Sequence, residues 1–155
     1  MTSTYRIVVG VDGSPASVAA LRWAFRQAYA RRGSVLAVCV WPWDPRREVT
    51  HAEATHAQCE ALLSEAITVA LADNPRVPVS GRVVVGRAAY ELVKVARVAD
   101  LLVLGSHGRG RVSRAMLGSV TEACVRLSTV PVVVLPHRAP VPATQPARAL
   151  TAATV

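Results

Sequence analysis

The sequence predicts a doubly wound α/β fold, and three observations carry the prediction. Short β-branched runs alternate with amphipathic stretches along the 155 residues, the pattern of a parallel sheet with helices on both faces and right-handed crossovers. The apolar runs are largely continuous, as in strands buried on both sides. Hydrophobic residues at 52% against charged residues at 18% leave too little polarity for disorder. A chain of this length buries roughly 70% of its unfolded surface, so one domain needs no disulfide or metal staple.

The elements follow in order. Residues 6–11, RIVVGV, end at Asp-Gly-Ser-Pro and read as the first strand. Ser14 then supplies an N-cap hydroxyl and Pro15 a first-turn proline. Val18, Leu21, Phe25 and Ala28 repeat at helical spacing until Gly33 stops the helix. Residues 35–41, VLAVCVW, form the second strand, broken by Pro42, Asp44 and Pro45. From 48 to 72 Cys59, Leu62, Ala66 and Ala70 mark one side of a helix and Glu53, Glu60 and Glu65 the other. Residues 77–85 are strand, 88–99 helix and 101–104 strand. A glycine-rich loop over 105–118 leads into a helix carrying Val120, Cys124 and Leu127, and 130–135 is a fifth strand. Residues 1–137 are expected to be one domain. The remainder, 138–155, has Pro140, Pro142 and Pro146 with a run of Ala and Thr and no period, and is expected to be a flexible tail.

Several function classes are set aside by composition. No apolar run reaches the ~18 residues of a membrane span, and the first six residues lack the apolar core of a secretory signal, which makes a cytoplasmic location the expectation and a membrane partner unexpected. Cys39, Cys59 and Cys124 show neither a disulfide framework nor zinc spacing and are expected to be small buried residues. The net charge of +8 comes from seventeen arginines and Lys94. They are scattered over helices and strand ends instead of clustering with aromatics, so no nucleic-acid partner is expected.

In such sheets ligands sit beyond the carboxyl ends of strands, where strand order reverses. Two strand ends stand out. The first places Asp12 among Gly10, Val11, Gly13 and Ser14, where the carboxylate suits a ribose hydroxyl equally with an Asx turn capping the next helix. The other is the segment 105–119, where glycines let main-chain N–H groups approach an anion and Gly118-Ser119 opens a helix whose dipole favours one. Arg109, Arg111 and Arg114 within it read as solvated side chains first and phosphate contacts second.

The spacing is G-x2-G-x9-G-S, at Gly105, Gly108, Gly118 and Ser119. With the VVGVDGS opening, the LGSHG turn, the LGSVT helix start and the closing PVVVLP strand, the chain from about 5 to 136 resembles the universal stress protein family. The resemblance implies a five-stranded parallel sheet in order 3-2-1-4-5, a dimer, and ATP as ligand, with magnesium admitted as its companion ion. Carried over residue by residue, it implies adenosine contacts at Val11, Asp12 and Val40, the end of strand four at Leu104 and Gly105, and ribose and phosphate contacts at Gly108, Gly118, Ser119 and Val120. The family commonly has proline where Ala88 stands, a departure that the nucleotide site is not expected to feel. The resemblance also implies a homodimer, joined through the apolar edge strand between Val130 and Leu135, since uncovered edges tend to pair.

The motifs speak against phosphoryl-transfer machinery. There is no G-x4-G-K-S/T, Lys94 lies in the third helix, and Gly108 and Gly110 are followed by Ser113 where a dinucleotide fingerprint needs glycine. A nucleotide-responsive binding module is the first reading. A slow ATPase or phosphotransferase using Asp12, and a nucleotide-free dimeric adaptor, are the alternatives.

Overall fold

A computed structural model of the chain describes residues 4–42, 49–72, 74, 76–109 and 116–136. The expected tail lies outside them, as do Arg111 and Arg114. Among the described residues five strands and four helices alternate: β1 (Arg6–Gly10), α1 (Pro15–Ala30), β2 (Ser34–Trp41), α2 (Val49–Leu71), β3 (Val79–Val85), α3 (Ala88–Ala96), β4 (Leu101–Gly105), α4 (Ser119–Leu127) and β5 (Val132–Leu135). They form one sheet in order β3-β2-β1-β4-β5, every pairing parallel, the expected fold class and strand order.

Period-two alternation sorts the strand residues into two layers. Ile7, Val9, Val35, Ala37, Leu101 and Val103 join Leu21, Phe25, Leu63 and Ala66 in the layer under α1 and α2. Val8, Val38, Leu102 and Leu104 join Leu92, Val93, Ala96 and Cys124 under α3 and α4. Both sides of β1 and β4 are therefore buried, which is why their sequences lack polar alternation.

Element ends differ from expectation where local pairing outweighs composition. β1 closes at Gly10, though Val11 N–H still donates to Val38 O at 2.8 Å. β3 begins at Val79 and β5 at Val132, after Pro78 and Pro131, which cannot donate to a ladder. α3 ends at Ala96 instead of reaching Ala99. At the end of α1 the left-handed residue is Arg32, with φ 52°. Gly33 is needed for another reason: a Cβ there would run into the Tyr5 carbonyl. Cys39 and Cys124 are buried as expected, but Cys59 is only half-buried.

Candidate functional site

β1 lies between β2 and β4, so the chain leaves the sheet in opposite directions on its two sides. A cleft of about 230 Å³ opens there, beyond the carboxyl ends of the strands. All nine residues expected at the site line it: Val11, Asp12, Val40, Leu104, Gly105, Gly108, Gly118, Ser119 and Val120. Segments more than a hundred residues apart in sequence thus converge on one hollow.

Its walls are tied together by local chemistry. Asp12 Oδ1 accepts the Ser14 N–H at 2.9 Å, an Asx turn, while Oδ2 lies 2.6 Å from where a Cβ of Gly108 would be. One carboxylate thus shapes the turn and faces the loop, and the two readings of Asp12 are compatible. Ser14 Oγ caps α1 through the Ser17 N–H at 3.2 Å and donates to the His107 carbonyl at 3.4 Å. Across the cleft, Thr121 Oγ1 donates to Gly105 O at 2.8 Å, and Gly118 N–H donates to Ser106 O at 2.8 Å. The loop after β4 is pinned to the starts of both α1 and α4.

The glycines play unlike parts. A Cβ on Gly105 would lie 2.7 Å from Ala16 Cβ and 2.8 Å from Ala16 C, so this glycine lets α1 pack on β4. Gly118 is buried with φ −63° and ψ 149°, a conformation open to any residue, and a Cβ there would come no nearer than 3.4 Å to the chain. Backbone geometry and the chain's own packing leave its missing side chain unexplained; it leaves room in the cleft. With no side chain at its N-cap, α4 keeps first-turn N–H groups uncapped at that end. The Gly118 amide itself is committed to Ser106, so anion donors come from Ser119 onward.

Other residues enter the lining: Gly10, Val38, Ala88, Leu92, His107 and Thr121. Val38 is signalled by alternation with Val40, and Leu92 by its one-turn spacing from Ala88. Ala88 corrects the expectation that its departure from the family pattern leaves the site untouched, because the start of α3 forms one wall. His107 Nδ1 is 2.8 Å from Ser106 Oγ, which orients the ring beside the loop backbone. Arg109 is not among the lining residues; its guanidinium reaches Gly13 and Leu62 in a separate groove between α1 and α2.

Asp12 is the one carboxylate in the described lining, and no cluster of three or more metal-ligating side chains occurs among the described residues. This donor set suits a cation that arrives with a ligand's phosphates better than one held by protein alone. No helix among those residues is long and apolar enough to cross a membrane.

Comparison with known proteins identifies the family of the chain. The model of the universal stress protein family matches residues 4–136. A universal stress protein of Mycobacterium tuberculosis is 40% identical over 130 residues, covering 83% of this chain and 44% of that protein. One from Mycolicibacterium smegmatis is 34% identical over 143 residues, covering 85% and 46%. The chain thus spans about half the length of these relatives. Among solved structures, a universal stress protein in complex with cAMP superposes with TM-score 0.68 at 28% identity, over 87% of this chain and 98% of the other. UspA of Lactobacillus plantarum superposes with the same TM-score, 0.68, at 21% identity over 87% and 99%, a likeness of fold. The match of the family model from residue 4 to residue 136, across all five strands and four helices, shows that this chain belongs to the universal stress protein family.

Proposed function

We propose that the chain is an ATP-binding regulatory module of the stress response, acting by nucleotide occupancy and not by turnover. The observation that carries the reading is Gly118: buried, conformationally ordinary, lining the cleft, and with no chain atom nearer than 3.4 Å to where a Cβ would stand. Val11, Val38, Val40 and Leu92 offer an apolar slot for a base, Asp12 an acceptor for ribose hydroxyls, and the start of α4 with Gly108 a set of N–H donors for phosphate. At about 230 Å³ the cleft falls below the roughly 300–1,000 Å³ usual for small-molecule sites. It suits the nucleoside part, with the phosphates running out along the glycine loop. The neighbour solved with cAMP supports an adenine nucleotide as the class of ligand.

Binding is favoured over catalysis because the lining holds no lysine; Lys94 is exposed on α3 beside Glu91. The homodimer reading draws on β5, an edge strand half-buried in the single chain, and on exposed Met116, Leu117, Val125 and Leu127 nearby in sequence. Calorimetric titration of nucleotide-stripped protein with ATP, AMP and cAMP tests the ligand. Saturable binding is expected, and no heat with any of them would support the adaptor alternative instead. Single-turnover assays with magnesium and labelled ATP test the enzyme alternative, where many turnovers per minute would overturn a binding role. Light scattering of the purified chain is expected to give twice the monomer mass.

A further inference from the structure

The groove between α1 and α2 holds about 770 Å³, inside the roughly 300–1,000 Å³ range of small-molecule sites. Helical spacing builds it. On α1, Val18 and Arg22 stand one turn apart, and on α2, Gln58, Leu62, Glu65 and Val69 fall on one stripe. The lining runs from Pro15 to Arg22 on one helix and from Gln58 to Val69 on the other. At 1.5 Å per residue that is an apolar trough about 10 to 16 Å long. Its charged side chains are Arg22, Arg109 and Glu65. Arg109 comes in from the loop after β4, with its guanidinium beside Gly13 and Leu62. Arg22 is half-buried, and its Nε–H lies out of water with no hydrogen-bond partner. Among the described residues no ion pair joins either arginine to Glu65. A donor on a charged group, buried without an acceptor, is costly to the fold.

We propose that this groove is a second ligand site, for an apolar monocarboxylate of the medium-chain fatty acid class, with the head group on Arg22 and the chain along Val18 and Leu62. The groove shares no lining residue with the cleft, so the proposal stands apart from the nucleotide reading. Charge sets the class of head group. Two guanidiniums against one carboxylate leave a single positive charge, which a single negative charge balances and a dianion exceeds. A carboxylate matches the planar guanidinium edge, and rotation about the last bonds of the Arg22 side chain presents Nε and one Nη to it as a fork. That contact gives the orphaned Nε–H its acceptor. Arg109 adds positive potential at the Gly13 end. Length and polarity set the rest of the ligand, since the walls between the two arginines are aliphatic. A partner helix of acidic character fits less well, because it would bring several carboxylates to a trough that balances one.

Decanoate is the probe. The full chain is titrated calorimetrically with decanoate below its micelle-forming concentration, and in parallel with decanol, decyl phosphate and an acidic amphipathic peptide. Saturable decanoate binding is expected, with decanol weaker by at least about tenfold for want of charge-assisted hydrogen bonds. Arg22→Gln should lose a similar factor, and Arg22→Lys, which restores the charge without the fork, should recover part of it. Ala61→Trp, at an exposed position of the lining, should block the groove while thermal unfolding stays cooperative. Decanoate heat that is absent or never saturates, equal affinity for decanol, or binding unchanged by Ala61→Trp would each overturn the proposal. So would decyl phosphate binding more tightly than decanoate, which would make the groove a phosphate site, or a response to the peptide alone, which would give it to a protein partner. Should Arg22→Gln fail to fold, the wild-type series and Ala61→Trp decide the matter.

Discussion

The two ends of the sheet each carry a hollow, and the larger one sits at the end without convergent backbone. Near the amino ends of β1, β2 and β3 a depression of about 410 Å³ is lined by Arg6, Ser34, Pro78, Arg82 and Val98. The cleft at the carboxyl ends measures about 230 Å³. In the first, the helical contribution is the final turn of α3 and the residues just past it, where the peptide dipoles present their negative ends. In the second, α3 and α4 both begin, so the positive ends point inward beside glycine backbone and a single carboxylate. Peptide direction, not volume, is what favours the carboxyl-end cleft as the proposed nucleotide site.

Substitutions at the two ends should therefore behave oppositely. The largest effect is expected from Gly118→Val, whose Cβ would come no nearer than 3.4 Å to the chain and whose methyl groups should occupy the cleft. ATP affinity should fall at least ~100-fold, about 2.7 kcal/mol, in calorimetry, with thermal unfolding still cooperative. Ser80→Trp, which loads the amino-end hollow, should leave ATP affinity as it is; the reverse pattern would move the site to the other end. Gly105→Ala separates two glycines of one motif. Its Cβ meets Ala16, so it should lower unfolding free energy by about 1–3 kcal/mol in denaturant titration, the usual cost of overpacking. A folded variant that loses only nucleotide would contradict the packing role.

Asp12→Ala sharpens the comparison within the cleft. It removes the proposed ribose acceptor together with the Asx turn, so AMP and ATP should both weaken by about tenfold, roughly 1.4 kcal/mol. Pyrophosphate competition should change little. Unaltered AMP affinity would take the carboxylate out of the binding role.

Much of this contrast is local and hence legible in the chain itself. Ser14-Pro15 caps α1 where the hydroxyl and proline say it should, the apolar runs order themselves into a switch-point sheet, and the residues at G-x2-G-x9-G-S meet around one cleft. What the sequence hides is set by contacts between distant segments. Nothing near Gly105 reveals that Ala16 is the atom group it must avoid. Ala88 and Leu92 become a wall only because Leu92 of α3 packs close to Gly10 at the end of β1. Arg109 sits in a loop rich in phosphate-type glycines yet reaches the other side of β1.

The smallest effect contrasts the two layers instead of the two ends. Each layer holds one buried thiol, and burial raises both: Cys124 from an ordinary 9.0 to about 11 and Cys39 to about 12, the latter also through Cys59. A thiol whose pKa is higher folded than unfolded favours the native state while it stays protonated. Its contribution is whole below pH 9.0, and it declines as the pH climbs toward the folded value. Unfolding free energy should thus slope downward from about pH 9. Cys124→Ala should flatten the part of that slope ending near 11, leaving the portion due to Cys39 to continue toward 12. Chemical denaturation at closely spaced alkaline pH values measures this. Equal slopes in wild type and Cys124→Ala would mean that the thiol under α3 and α4 already ionises freely, and that the layer behind the cleft is wetter than its packing shows.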